Sequence, residues 1–281
     1  ATIFSGLIIS GLDWIANMEI FERSLSFDEY SILWIITIIG LVSFSFASRI
    51  NENDTELTQK QSGIFSLHQN YDWNLIFRAI SPLILISIGA GLTIPFVNLF
   101  FNSIFNLSSS DFSLLGSFTA LLVFIFSLLV PTLRKKYGYW ATIVLNQSLA
   151  IVFLIIMATT ELYAASSYAI IIAISAYILR QPLMHMAHPA SNELMMNYVG
   201  KKNQELISAL SSSLWSASWF ISAKIFEWLR ILEFQYFEIF IITAALYIIG
   251  VVLFGFLISQ YEKNNRKSNQ ILPIADELSI D

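Results

Sequence analysis

The chain contains no cysteine among its 281 residues and has few charged side chains. The absence of cysteine excludes disulfide bonds and thiolate-ligated metal centres. Charged residues make up 12% of the chain, whereas about 25% is usual for a soluble domain. Hydrophobic residues reach 56%, and the mean hydropathy is +0.67. A water-soluble fold could not bury this much apolar surface, so the composition predicts an integral membrane protein.

Several chemical functions also lack their sequence signatures. The chain has no P-loop, no glycine-rich phosphate cradle, no Ser/His/Asp set and no basic stripe with interleaved aromatics. His185 and His188 form an H-x-x-H pair, but the sequence offers no convincing third ligand for a metal ion. We therefore predict no enzymatic activity, no cofactor, no metal site and no nucleic-acid partner.

Long apolar runs are what the chain does contain, and they are continuous rather than alternating. Only helices and closed barrels satisfy the backbone within lipid, and these runs are too long for barrel strands. Residues 79–105 and 112–130 are the clearest pair. Each could cross a hydrocarbon layer of about 30 Å at about 1.5 Å per residue. The sequence thus predicts an all-α integral membrane fold in contact with the lipid bilayer.

The runs predict seven complete spans: residues 31–48, 79–105, 112–130, 141–162, 168–188, 205–228 and 237–258. Residues 1–12 are apolar but too short to cross, and no basic region precedes them as in a signal peptide. The chain also does not open with Met. We therefore expect residues 1–12 to be the end of a severed helix, and the chain to be a fragment of a longer protein.

The basic residues are distributed unevenly about these spans. Most of the fifteen fall on one predicted side: Arg49, Lys60, Arg78, Arg134, Lys135, Lys136, Lys201, Lys202, Lys263, Arg266 and Lys267. Arg23 and Arg230 fall on the other side, and Arg180 and Lys224 lie within spans. Because cationic loops stay in the cytoplasm, we expect a multi-pass protein of a plasma or bacterial inner membrane. Its linker and C-terminal tail should be cytoplasmic.

Five segments carry a resemblance to a known family: GAGLTIPFVNLFF (89–101), FNLSSSDFSLLGSF (105–118), PTLRKKYG (131–138), RQPLMHMAHPASNELM (180–195) and GKKNQELISALSSSLW (200–215). In these segments the chain resembles a major facilitator superfamily (MFS) transporter. The resemblance runs from the end of helix five through helix twelve of that family. It implies an MFS-type bundle of two halves around a central cavity, working by alternating access.

The resemblance also implies a domain organisation. Residues 1–48 correspond to a remnant of the N-terminal half, 49–77 to the central cytoplasmic linker, 78–260 to the C-terminal six-helix half and 261–281 to a polar cytoplasmic tail. The implied function is secondary active transport of a small solute, with a proton or another cation, or the solute gradient itself, as energy source. The missing N-terminal half would complete the cavity. The alternative is a non-transporting scaffold or receptor built on the same bundle.

Arg180 is the first candidate site residue. It lies about twelve residues into its span, hence about 18 Å from the outer boundary on helical rise. A charge at that depth costs at least about 2.5–3.5 kcal/mol, and such residues face a cavity or a partner. We expect a contact with substrate or a counter-ion, and more narrowly with an anionic group. The competing interpretation is a structural pair with a neighbouring carboxylate or carbonyl.

A polar stripe on residues 205–228 supplies the next candidates. Its members share one helical face: Ser208, Ser212, Trp215, Trp219 and Ser222. Mid-depth tryptophan and serine suit a wet cavity wall, so Trp215 and, less strongly, Trp219 are predicted to contact substrate. The competing interpretation is close packing of helices through small residues, with the indoles filling gaps.

Three amides lie within predicted spans. Asn98 follows Gly89, Gly91 and a proline, and it is predicted either to contact substrate or to bond a neighbouring helix. Asn146 and Gln147 lie near the inner end of their span, where bonding between helices is expected rather than ligand contact.

Charged residues near the span ends complete the set. Glu193 is weakly predicted to couple a proton, and an inner-gate or loop contact is the competing interpretation. Lys224 and Glu227 are spaced i, i+3, so they are expected to pair or to reach toward the interface.

Overall fold

A computed structural model describes residues 37–38, 40–42 and 71–277, with side chains described as far as residue 266. The chain divides into two compact units, Ala1–Asn70 and Tyr71–Asp281. The few residues described in the first unit are helical and exposed. The predicted severed helix 1–12, most of the span 31–48 and most of the linker lie outside the described residues.

The described part of the second unit is helical and contains no strand, which confirms the predicted all-α membrane fold. Its helices are α1 (Trp73–Thr93), α2 (Val97–Phe105), α3 (Ser109–Tyr139), α4 (Asn146–Thr159), α5 (Ala169–Val199), α6 (Gln204–Ile231) and α7 (Tyr236–Glu277). A 3-10 turn, Ile94–Phe96, joins α1 to α2, and a π-helical turn, Trp140–Leu145, joins α3 to α4.

Four helical stretches of the described residues are long and apolar enough to cross a membrane: Trp73–Phe105, Ser109–Tyr163, Ala169–Val199 and Tyr236–Arg266. The second stretch covers two predicted spans, residues 112–130 and 141–162. The helix is kinked between them, at Gly138. The φ of Gly138 is 74° and its ψ is −171°, a backbone conformation that glycine adopts without steric cost. Helix α6 is also long, at 28 residues, but its serines and charges lower its hydropathy.

Several helices run beyond the apolar runs from which the spans were predicted, and α7 extends the furthest, to Glu277 within the predicted polar tail. Helix α1 begins at Trp73, inside the predicted linker, because the Asp72 side chain accepts a hydrogen bond from the Leu75 N–H at 3.2 Å. Helix α5 continues eleven residues beyond the predicted end at residue 188, to Val199. Buried apolar side chains recur along that extension, so packing sustains the helix where hydropathy falls.

Helix α1 lies between α6 and α7, while α4 and α5 pack against each other and α3 packs on α5. The core of this bundle is aliphatic and aromatic, and Phe100 and Phe240 are fully buried within it. Helix α3 instead exposes large apolar side chains such as Leu121, Phe124 and Leu128. An exposed apolar face of this length suits contact with lipid or with further transmembrane helices.

Candidate functional site

A cavity of about 260 Å³ lies among the helices of the second unit. Helices α1, α4, α5, α6 and α7 all contribute to its wall. The lining residues are Leu83, Ile86, Ala90, Ile94, Gln147, Arg180, Gln181, Met184, His185, His188, Ser191, Asn192, Trp215, Tyr247 and Phe254. Two of the four predicted substrate contacts, Arg180 and Trp215, are therefore brought together in one wall.

Of the described residues that line this wall, Arg180 is the only Lys, Arg, Asp or Glu. Its side chain is 1% exposed, and its Nη2 donates to the Tyr247 hydroxyl at 3.5 Å, the outer limit for a hydrogen bond. Its Nε and Nη1 have no hydrogen-bond partner among the described residues. No carboxylate of the described residues forms an ion pair with it. The guanidinium is thus buried, charged and largely unsatisfied.

Trp215 and His188 lie farther along the cavity. Their ring centroids are 5.6 Å apart with an interplanar angle of 78°, an edge-to-face arrangement. His188 is two helical turns beyond Arg180 on α5, hence about 12 Å away along the helix axis. The indole and the guanidinium therefore belong to different ends of the same cavity.

Gln147 is a cavity residue that the sequence did not single out as a ligand contact. The side chain is buried, and its Oε1 has no hydrogen-bond partner among the described residues. The expected bond to another helix is found for neither amide among the described residues: Asn146 Nδ2 donates instead to the Thr142 carbonyl in the adjoining π-helical turn, at 3.1 Å. The signal available in the sequence was a strongly polar amide in a span.

Asn98 and Trp219 do not line the cavity. Asn98 lies on α2, and its buried Oδ1 has no hydrogen-bond partner among the described residues. Its Oδ1 therefore forms no bond to a neighbouring helix there. Trp219 is 37% exposed on α6. Whether either side chain meets a solute stays a prediction.

The predicted polar face of α6 divides into two environments. Ser208 and Ser212 line a small hollow of about 60 Å³ beside Asn192, close to the cavity. Ser222 is instead fully buried against α1, where its hydroxyl donates to the Ile88 carbonyl at 2.8 Å. The competing interpretation, close packing through small residues, therefore describes Ser222.

The sequence model of the Major Facilitator Superfamily matches residues 4–223, which includes Arg180 and Trp215. The chain belongs to the major facilitator superfamily. A comparison with curated proteins gave no match. Members of this superfamily are transporters of small molecules, and the match together with the long apolar helices identifies a multi-pass membrane protein of a transporter family.

Glu193 does not line the cavity and instead forms an ion pair with Arg134. Its Oε1 lies 2.7 Å from Arg134 Nη2, and both side chains are partly exposed. Arg134 also donates to the Tyr139 hydroxyl and stacks over the Tyr139 ring, and Asn197 donates to the same hydroxyl at 3.1 Å. The group joins α3 and α5 at one end of the bundle. This geometry matches the competing interpretation of Glu193 as a gate or loop contact.

A second ion pair among the described residues joins two neighbouring side chains of α6. Lys224 Nζ lies 2.7 Å from Glu227 Oε2, which confirms the predicted i, i+3 pair. The two histidines, His185 and His188, both line the cavity. Among the described residues, no three His, Asp or Glu side chains come together as a metal site would require.

Proposed function

We propose that the complete protein containing this chain is a secondary active transporter that carries a small solute by alternating access. The observation that carries the proposal is Arg180. A buried cation with two unpaired donors beside a cavity is costly to fold, and a solute that pairs with it would offset that cost. Arg180 and Trp215 are the proposed solute contacts.

The other predicted site residues, Asn98, Trp219 and Glu193, would contribute only after a rearrangement. Asn98 and Trp219 would meet the solute only in another arrangement of the helices, since neither lines the present cavity. Glu193 would couple a proton only after its ion pair with Arg134 opened. Residues 78–260 would form the C-terminal half of the transporter, with the linker 49–77 joining it to the remnant 1–48, and an ion or solute gradient would supply the energy.

Alternating access can be tested without knowing the solute, because the chain contains no cysteine. In the complete gene product, freed of any cysteine outside these residues, Met184→Cys would place a single thiol in the cavity wall. We expect this thiol to react with a membrane-impermeant maleimide added to either side of oriented vesicles, because the cavity opens to each side in turn.

Two matched variants control the labelling. Lys201→Cys lies at the exposed polar end between α5 and α6, so it should react from one side only. Ser218→Cys is buried between α1 and α6 and should react from neither side. A cavity thiol at Met184 that reacts from one side only would contradict alternating access and favour the scaffold or receptor.

A further inference from the structure

We infer that the cavity takes an organic anion of single negative charge with an apolar, elongated body, whose anionic group binds Arg180. This inference deepens the proposed transport function and rests on it, because it names the chemical class of the solute. It follows from three properties of the wall: the number of fixed charges, the distribution of apolar side chains, and the position of the polar groups.

The charge of the solute follows from the fixed charges of the wall. Among the described residues of the wall, Arg180 is the only permanently charged side chain, and its Nε and Nη1 have no partner. A guanidinium binds a carboxylate or a similar planar anion through two parallel hydrogen bonds. A dianion would leave one charge without a partner in a low-dielectric site, which is unfavourable. A cation would be repelled by Arg180. One negative charge is therefore the best match.

The body of the solute follows from the apolar part of the wall. Helix α1 and the 3-10 turn that follows it contribute an apolar row at helical spacing: Leu83, Ile86, Ala90 and Ile94. Met184 and Phe254 extend this surface from α5 and α7. A sugar or an inorganic ion would gain little from these side chains and would lose its hydration there. A hydrocarbon or aromatic body would instead bury apolar area against them, and Trp215 offers a ring edge or face.

The length of the solute follows from where the far polar groups lie. Ser191 and Asn192 line the cavity from α5, eleven and twelve residues beyond Arg180. They therefore lie about 16–18 Å from Arg180 along the helix axis.

Gln147 adds a further chemical preference to the wall, from α4. Its Oε1 is a buried acceptor without a partner among the described residues. A solute that carried a hydroxyl or an N–H group besides its anionic group would satisfy this acceptor. The wall thus has a cationic end at Arg180, an apolar side along α1 and a polar far end at Ser191 and Asn192, which is the complement of an amphipathic monoanion.

The test uses carboxylates paired with their carboxamides, which have the same shape and no charge. Phenylacetate, 4-hydroxyphenylacetate, hexanoate and decanoate would each be compared with the corresponding amide by the thermal unfolding of the complete, detergent-solubilised protein. Acetate and inorganic phosphate would serve as anions without an apolar body. We expect at least one organic carboxylate to raise the unfolding temperature saturably, with an apparent Kd about tenfold or more tighter than that of its amide.

Variants then locate the effect. Arg180→Gln should abolish the difference between carboxylate and amide, and Trp215→Ala should weaken the aromatic acids more than the aliphatic ones. The comparison of carboxylates with amides in the unmodified protein does not depend on the folding of any variant. Equal effects of acids and amides, or no effect of either, would overturn the inference. Stabilisation by phosphate or acetate as strong as that by the organic acids would overturn the apolar part.

The two proposals fail independently. Labelling of Met184→Cys requires no ligand, so alternating access could hold while the carboxylates fail to bind. In that case the solute class is wrong and the transport proposal survives. Binding of carboxylates without labelling from both sides would support the anion site and would contradict the transport cycle.

Discussion

Two sides of α1 use polar and small residues in opposite ways. One side packs against α6 and α7 in a seam of small and polar residues: Ser87, Gly89, Gly91, Thr93, Ser218, Ser222 and Thr243. The other side faces the cavity, whose wall also contains Arg180 of α5 and Gln147 of α4. In the seam, Ser87 bonds Ser218 at 3.0 Å and Thr93 bonds Thr243 at 3.1 Å. In the cavity, Arg180 and Gln147 keep buried atoms without partners among the described residues.

The difference teaches how to separate structural from functional polarity within a membrane. A hydroxyl can bond the carbonyl of its own or a neighbouring helix, so the serines and threonines of the seam are satisfied by the fold itself. A guanidinium has five donors and no acceptor, and the described helices supply only the distant Tyr247 hydroxyl. On these two sides of α1, the unsatisfied groups line the cavity and the satisfied groups form the packed seam.

The largest expected effect breaks the seam. A Cβ at Gly91 would lie 2.7 Å from the Cβ and Oγ of Ser222 and 3.1 Å from the Ser218 carbonyl oxygen. Gly91→Leu should therefore separate α1 from α6 and lower the free energy of unfolding by about 3 kcal/mol or more. Chemical unfolding in detergent measures this change. Gly116→Leu is the matched control, because a Cβ there meets nothing within 4 Å. Equal losses in both variants would contradict the seam.

The next effect has the opposite sign and lies in the cavity. Arg180→Met removes an unpaired buried charge and keeps an apolar side chain of similar length, so the free energy of unfolding should rise by about 1–3 kcal/mol. Binding of organic carboxylates should be lost in the same variant. A marked loss of stability would instead indicate that Arg180 holds a structural pair, which was the competing interpretation from the sequence.

A smaller effect sharpens the contrast along α6. Ser222→Ala removes the hydrogen bond to the Ile88 carbonyl, so the unfolding free energy should fall by about 0.5–1 kcal/mol. Ser212→Ala is the control on the same helix, since Ser212 is exposed and bonds only within α6, to the Ser208 carbonyl. It should change stability little. Thermal unfolding of the two variants side by side decides whether the stripe has two environments.

The smallest effect belongs to a charged pair outside both regions. The side chains of Lys224 and Glu227 are 70% and 57% exposed, so Lys224→Gln should cost no more than about 0.5 kcal/mol of unfolding free energy. A double-mutant cycle with Glu227→Gln measures the pair directly. A coupling of several kcal/mol would show that the pair is shielded from solvent in the complete protein.

Much of the fold could be predicted because the lipid environment constrains it so strongly. Continuous apolar runs can satisfy their backbone in lipid only as helices, and this holds whatever packs around them. The boundaries at Trp73 and Val199 could not be read in the same way. Each depends on a local contact, the Asp72 cap for one and buried side chains for the other, that hydropathy does not register.

The candidate site was predictable only in part. Arg180 stood out because a mid-membrane charge is costly in any context. Gln147 did not, since an amide can serve equally between helices or toward a ligand, and only its neighbours decide. Trp215 and Ser222 were assigned to one face of α6 from their spacing of seven residues. The two residues nevertheless meet different surfaces, a cavity wall and a packed helix.

The sequence by itself determined the class, the helical spans and the presence of one deep cation, because these follow from transfer energies and backbone hydrogen bonding that act residue by residue. Only the tertiary structure decided which polar groups are satisfied. Whether the Ser222 hydroxyl finds a carbonyl, or the Arg180 guanidinium finds a carboxylate, depends on which residues of other helices come within about 3 Å. That proximity is a property of helix packing, to which widely separated parts of the chain contribute together.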